Sequence, residues 1–292
     1  MRNKIALIIS GILVLSKNLE AQPYVDIISV KASVSPSSGN DETRNMSVQN
    51  KHYIAGAVYP FKLKDSSKII LGLYNEGWII KSKGSSGLSN DLRALIIPVG
   101  FVKPLHGKWS IATTLISRWN GETNNMFNKS FQVGGTLVAA CKKDSNLTFR
   151  FGAYYNSEFF GPFIIPLLGI DWKITQKDNL FGLLPQQLTY EHKLSGKFYW
   201  GAVYRMVNNS FRTRSYGTGN SPSFVRINEM QLLLSADLYL SKRIVFNVEA
   251  GHSVFRKIRL GVDVAKKDYY QDDDVNDGFL FKAGLLYRVR LR

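Results

Sequence analysis

The 292-residue sequence contains one cysteine, Cys141. A lone thiol forms no internal disulfide and removes every cysteine-based zinc pattern. Cys141 reads instead as a small apolar strand residue. The four histidines are His52, His106, His192 and His252, and none sits in a paired spacing such as H-E-x-x-H. No G-x-S-x-G turn or Walker-type loop is present. No catalytic residue, resident metal or cofactor is therefore assigned, although a hydroxyl–histidine site built from separate strands would leave no linear motif. Acidic residues are few, 22 against 38 Lys+Arg, which gives a formal charge of +16. The excess charge is spread over turns and alternate positions, and no recognition motif accompanies it. That argues against a nucleic-acid partner. Past residue 21, charge, Gly or Pro interrupts each apolar run well short of the ~20 residues of a spanning helix.

What is present begins with an export signal. Arg2 and Lys4 form a positive n-region, Ile5–Leu15 is apolar, and Ser16–Ala21 is a short segment ending in a small residue. That order predicts a signal peptide over residues 1–21, cleaved after Ala21, with residues 22–292 forming one domain. No cysteine follows the cleavage point, so a lipid anchor is excluded.

The rest of the chain alternates. In Ile28–Ser35, Ile28, Val30, Ala32 and Val34 share one face, while Ser29, Lys31, Ser33 and Ser35 share the other. A period of two is that of a strand with one dry face. Similar segments follow at about 48–60, 68–80, 90–103, 108–119, 130–142, 146–157, 163–174, 180–192, 197–208, 224–240, 243–256 and 278–291. Most are more than twice the ordinary strand length of about 5–6 residues and long enough to cross a bilayer at a tilt. A chain that crosses a membrane with strands must close into a barrel, because lipid offers no partner to an open edge.

Trp109 and Trp119 support that reading by their separation. They share a face of the 108–119 segment with Ile111, Thr113, Leu115 and Ser117. At about 3.3 Å per residue and a tilt near 40°, they stand roughly 25 Å apart along the membrane normal. This is the height between two aromatic girdles. Short links at Phe61–Ser67, His106–Gly107, Lys142–Ser145, Ser195–Gly196 and Ser241–Lys242 alternate with longer polar links at 35–47, 81–89, 120–129, 209–223 and 257–277. The alternation matches short periplasmic turns and long outer loops. It fails once: a single strand at 180–192 would begin and end on the same side, and Pro185 near its middle lacks a ladder donor. Leu180–Lys193 is therefore expected as a short up-and-down pair or as a segment folded into the lumen. The predicted fold is an all-β, up-and-down antiparallel transmembrane barrel of about 12 strands, or 14 if that segment is a pair. A soluble periplasmic β-sandwich is the alternative architecture.

The last segment carries Lys282, Gly284, Tyr287 and Val289 at spacings that resemble the insertion signal of outer-membrane barrels, with departures at Val289 and at the basic terminus Arg292. Lipid and the barrel-insertion machinery are the expected partners. Further residues carry a family resemblance: Tyr154–Gly161, Pro166–Trp172, Leu183–Pro185, Tyr190–Lys193 and Asn209–Arg212. This stretch resembles DUF6268, an outer-membrane barrel family of Bacteroidota known as a domain of unknown function. The resemblance implies a barrel in the outer membrane of a Gram-negative bacterium, and no activity, substrate or cofactor.

Two clusters are chemically suggestive. Asp272, Asp274 and Asn276 place oxygen ligands at i, i+2 and i+4, like half of a calcium loop, but the glycine comes late and no Glu closes the loop. A solvated acidic run is the simpler reading. Arg93, Arg118, Arg150, Arg205, Lys282, Arg288 and Arg290 alternate with apolar neighbours. A charge facing lipid near midplane costs about 2–4 kcal/mol, so these are expected to point inward or lie at the rims. There they either pair with Glu76, Glu158, Glu191, Asp237 and Glu249 or line a passage for anions, with Arg118, Arg150, Arg205 and Lys282 as the lumen candidates. The functional expectation is a non-catalytic binding or transport barrel with a basic lumen. A barrel enzyme acting on lipid or peptide is the alternative.

Overall fold

The computed structural model describes residues 23–36, 47–83, 89–214, 223–262 and 269–291; the predicted signal lies outside them. The chain forms strands β1 (Tyr24–Ser35), β2 (Ser47–Lys62), β3 (Lys68–Lys83), β4 (Ser89–Pro104) and β5 (Trp109–Glu122). Then follow β6 (Phe131–Lys142), β7 (Leu147–Glu158), β8 (Gly161–Lys173), β9 (Asp178–Leu184) and β10 (Gln187–Lys193). The last are β11 (Phe198–Thr213), β12 (Ser223–Tyr239), β13 (Ile244–Val262), β14 (Tyr269–Val275) and β15 (Gly278–Arg290). From β1 to β14 each strand pairs antiparallel with its sequence neighbour, β1 pairs with β15, and the β13–β15 ladder completes the circuit. The sheet closes on itself, which rules out the sandwich.

The wall has fourteen strands rather than the favoured twelve. β14 and β15 are two halves of one strand along β13, interrupted at Asn276–Asp277. Strand structure thus claims most of the segment read as a loop over 257–277. Of the two alternatives for Leu180–Lys193, the structure shows the up-and-down pair: β9 and β10 turn at Pro185–Gln186, which resolves the parity conflict. Because these two strands have only seven residues each, their turn lies part-way up the wall.

Facing follows the alternation. Val30, Leu73, Leu115, Leu137, Ile164 and Leu234 are each more than half exposed on the outer surface. Such an apolar band suits lipid rather than water. Trp109 stacks edge-on with Phe151 toward the short-turn end, and Trp119 packs on Phe131 toward the long-loop end. The two tryptophans thus anchor two aromatic clusters at opposite ends of β5.

Candidate functional site

The barrel encloses a cavity of about 730 Å³. Its lower part, toward the short turns, is an ion-pair lattice. Glu249 accepts from Lys31 at 3.1 Å and from Arg205 at 3.0 Å. Lys282 donates to Gln231 at 2.7 Å. Gly284 makes room for Lys31, since a Cβ there would lie 2.6 Å from the Lys31 side chain. Below this lattice, Arg288 bonds Asp26 and Asp237, each at 2.6 Å, and lies 3.6 Å over the Tyr24 ring. Arg290 pairs with Glu191 at 2.6 Å and stacks 3.8 Å over Tyr199. Stacked guanidiniums and paired carboxylates therefore fill the short-turn end of the lumen.

The opposite end is filled by apolar packing. Upper β2, β3 and β4 contribute Val48, Trp78, Ile80 and Leu92, which meet Phe211, Val225, Ile227 and Leu260 from β11, β12 and β13. Upper β11 leans inward far enough for Arg212 to bridge Gly121 of β5 in parallel register. A polar clasp holds it there. Asn120 donates to Gln132 and to the Ser210 carbonyl, at 2.9 and 3.1 Å, and Gln132 donates to Ser210 Oγ at 3.0 Å. The Ser210 hydroxyl donates to Glu158 and accepts the Phe159 N–H.

The upper cavity is mainly apolar and aromatic, with Tyr74, Ile116, Tyr154, Phe163 and Ile165 among its lining. His52 and Glu76 lie in its wall at 2.9 Å, and Trp78 donates to the same carboxylate oxygen at 2.7 Å. Arg118 also lines this part, beside the Tyr154 hydroxyl. It forms no ion pair among the described residues, and its buried Nε has no hydrogen-bond partner.

Of the four lumen candidates, Arg118, Arg205 and Lys282 line the cavity. Arg150 also lies on the inward face and pairs with Asp171 at 2.6 Å, outside the cavity lining. Arg288 and Arg290 belong to the floor. Arg93 alternates with inward Leu92 and Ala94, so it faces outward near the long-loop rim. Lys282 and Gly284 face inward on β15, whereas Tyr287 and Val289 face outward at the short-turn end, where Tyr287 accepts a bond from Arg243 at 2.8 Å. Asp272 and Asp274 lie on β14, paired with Arg259 and Lys257 at 2.9 Å each, and the Asn276 carbonyl accepts from Arg256. Among the described residues, no three His, Cys, Asp or Glu side chains converge as a metal requires.

Sequence reading missed the clasp, the stacking of Arg288 and Arg290 on Tyr24 and Tyr199, and the His52–Glu76–Trp78 group. One signal was available for the clasp. Glu158–Gly161 and Asn209–Arg212, both among the residues that carry the family resemblance, meet there.

No functionally curated protein matches the chain. Among solved structures, it is similar to the COG4313 outer membrane channel from Pseudomonas putida F1, with 7% identity, a TM-score of 0.47, and 91% of this chain and 96% of that one covered. It is also similar to the NanC porin, with 6% identity, a TM-score of 0.40, and 90% and 100% covered. A deletion mutant of the TodX monoaromatic hydrocarbon channel gives 10% identity and a TM-score of 0.41, with 96% and 94% covered. The family described as a domain of unknown function, DUF6268, matches over residues 81–291, most of the chain, and the chain belongs to it.

Proposed function

We propose that this chain is a non-catalytic binding or transport barrel of the outer membrane, exported by its N-terminal signal, whose cavity takes small molecules carrying a negative charge. The apolar outer face between two aromatic clusters supports the membrane location. Short turns at one end, against longer links between β1 and β2, β5 and β6, and β11 and β12 at the other, where β7–β8 alone of the full-length pairs turns in two residues, support an orientation with the short turns in the periplasm. One observation carries the anion preference. The cavity is lined by Lys31, Arg118, Arg205, Lys282 and Arg288 against Asp26, Glu76, Asp237 and Glu249, one basic residue in excess. Arg118 and Lys282 are the lining cations that hold no carboxylate in an ion pair among the described residues. A fixed positive charge in a narrow, partly apolar space concentrates anions.

The test is a planar bilayer under a salt gradient, together with titration of the purified barrel by monovalent carboxylates followed through tryptophan fluorescence. Anion-selective current establishes transport. Saturable carboxylate binding without current establishes a binding barrel. Cation selectivity, or neither current nor binding, sinks the reading.

A second reading, hydrolysis, has one observation in its favour. Ser33, His52 and Glu76 lie on three adjacent strands and all line the cavity. The Ser33 hydroxyl donates to the His52 backbone carbonyl at 3.5 Å and would have to turn to the imidazole to act as a nucleophile. Hydrolysis of a fluorogenic ester that disappears in Ser33→Ala supports this alternative, and an inert wild-type protein removes it.

A further inference from the structure

The barrel wall has a gap above the short hairpin. β9 pairs with β8 only from Lys173 to Leu168, and β10 pairs with β11 only as far as Arg205. Above that level β8 continues to Gly161 and β11 to Thr213, and among the described residues neither has a partner strand on the facing edge apart from the bridge of Arg212 to Gly121. At its foot the gap spans three strand spacings, about 14 Å. At its head it is closed by the contact of Phe159 N–H with Ser210.

An unpaired edge inside a membrane leaves backbone donors without partners. The local sequence removes part of that problem. Along β8 the Lys173 N–H bonds Asn146 on the β7 side, whereas the Ile174 N–H bonds Asp178 on the β9 side. Backbone groups alternate sides along a strand, and the β7–β8 register is unbroken. The groups of residues 162, 164 and 166 therefore face the gap. Residues 162 and 166 are prolines, which have no N–H to leave unpaired. On the opposite edge the Met206 N–H is taken by the Gln186 carbonyl, and the Ser210 carbonyl by Asn120. Part of each edge is thus satisfied without a further strand, while the N–H groups of Ile164 and Asn208 still face the gap.

The cavity reaches this gap: Phe163, Ile165, Leu183, Pro185, Met206 and Val207 all line it. With floor and roof both packed, the gap is the side of the lumen that faces lipid. Arg118 lies in the same apolar upper part of the cavity. We propose that the gap is a lateral port, through which a single-chain amphiphile with a carboxylate head enters from the membrane, its head against Arg118 and its chain along Phe163, Ile165 and Met206. This rests on the reading of the cavity as an anion-binding site and adds the ligand class and its route.

The experiment uses the full-length protein, reconstituted in phosphatidylcholine vesicles, and a long-chain fatty acid carrying a diazirine in its tail. After irradiation, adducts are expected on Phe163–Leu167, Leu183–Gln186 and Met206–Asn209. Arg118→Gln should lower them about ten-fold, the scale of one lost charge-assisted hydrogen bond, while Arg118→Lys retains most of the labelling. A boiling-dependent gel shift verifies that each variant is folded. Adducts spread over the outward leucines and indifferent to Arg118 overturn the site.

The route is tested in a Cys141→Ala background with Ile164→Cys and Asn208→Cys joined by a bis-maleimide across the gap. Loading from the vesicle should slow by ten-fold or more, while binding of small carboxylates is unchanged. Unaltered loading overturns the port but leaves the anion site standing. Loss of small-carboxylate binding in the unmodified protein overturns the underlying reading itself.

Discussion

Arg288 on β15 and Asp237 on β12 meet over β13 at 2.6 Å, although 51 residues separate them in the chain. The same guanidinium bonds Asp26 on β1, so one side chain joins three strands around the closure of the barrel. Arg288→Met leaves two carboxylates without their cation in a packed floor and should destabilise the barrel by about 3–5 kcal/mol. Arg288→Lys should recover only part of the loss, because one ammonium cannot fork between both acids. Urea-induced unfolding in vesicles measures both; a loss below 1 kcal/mol for the Met variant would show that the floor does not depend on this junction.

Glu249 compensates Lys31 and Arg205 in the cavity. Glu249→Gln raises the excess positive charge there by one, and Arg118→Gln lowers it by one. Reversal potentials, or carboxylate affinities if no current flows, should move in opposite directions for the two variants. A shift of the same sign in both is incompatible with selectivity set by lumen charge.

Leu234 and Leu240 are both more than half exposed, yet they differ in depth. Leu234 lies well inside β12, and Leu240 lies in the turn after it. Leu234→Arg should therefore cost about 2–4 kcal/mol and Leu240→Arg about 0–1 kcal/mol, since the penalty tracks depth in the bilayer. Equal effects in lipid-based unfolding would mean that the membrane does not cover β12 as described.

Gly182 in β9 has φ 151°, and a Cβ there would lie 2.2 Å from the Gln187 carbonyl oxygen. Gly182→Ala should loosen the short hairpin, with a loss above about 1 kcal/mol. Faster proteolysis around residues 184–187, with the remainder of the barrel protected, is the expected signature.

Asp65, in the turn after β2, is held below the usual carboxylate range by the Ser67 hydroxyl, assisted by the Ser67 N–H. A lowered carboxyl value in the folded state stabilises the turn above the ordinary carboxyl range, and this contribution is lost as pH falls through the lowered value. NMR titration should give a midpoint for Asp65 below that of a free aspartate, moving back toward it in Ser67→Ala.

The sequence by itself determined the barrel and the facing of its residues. The alternation in Ile28–Ser35 and the Trp109–Trp119 separation need only the two-residue strand repeat and a fixed rise, which are local properties. Parity of the connections also marked Leu180–Lys193 as irregular and admitted a pair there. The strand count remained ambiguous, because local alternation does not reveal a turn at Pro185–Gln186. Nor does it show that the polar stretch before Gly278 joins the wall, since β14 exists only through its pairing with β13. Only the tertiary structure decided which charges neutralise each other, and that Arg118 and Lys282 form no ion pair among the described residues. Glu249 meets Lys31 at a separation of 218 residues, and such pairings depend on closure rather than on any local pattern. The lateral gap was likewise decided there, since an open edge is defined by the partner that β8 and upper β11 lack among the described residues.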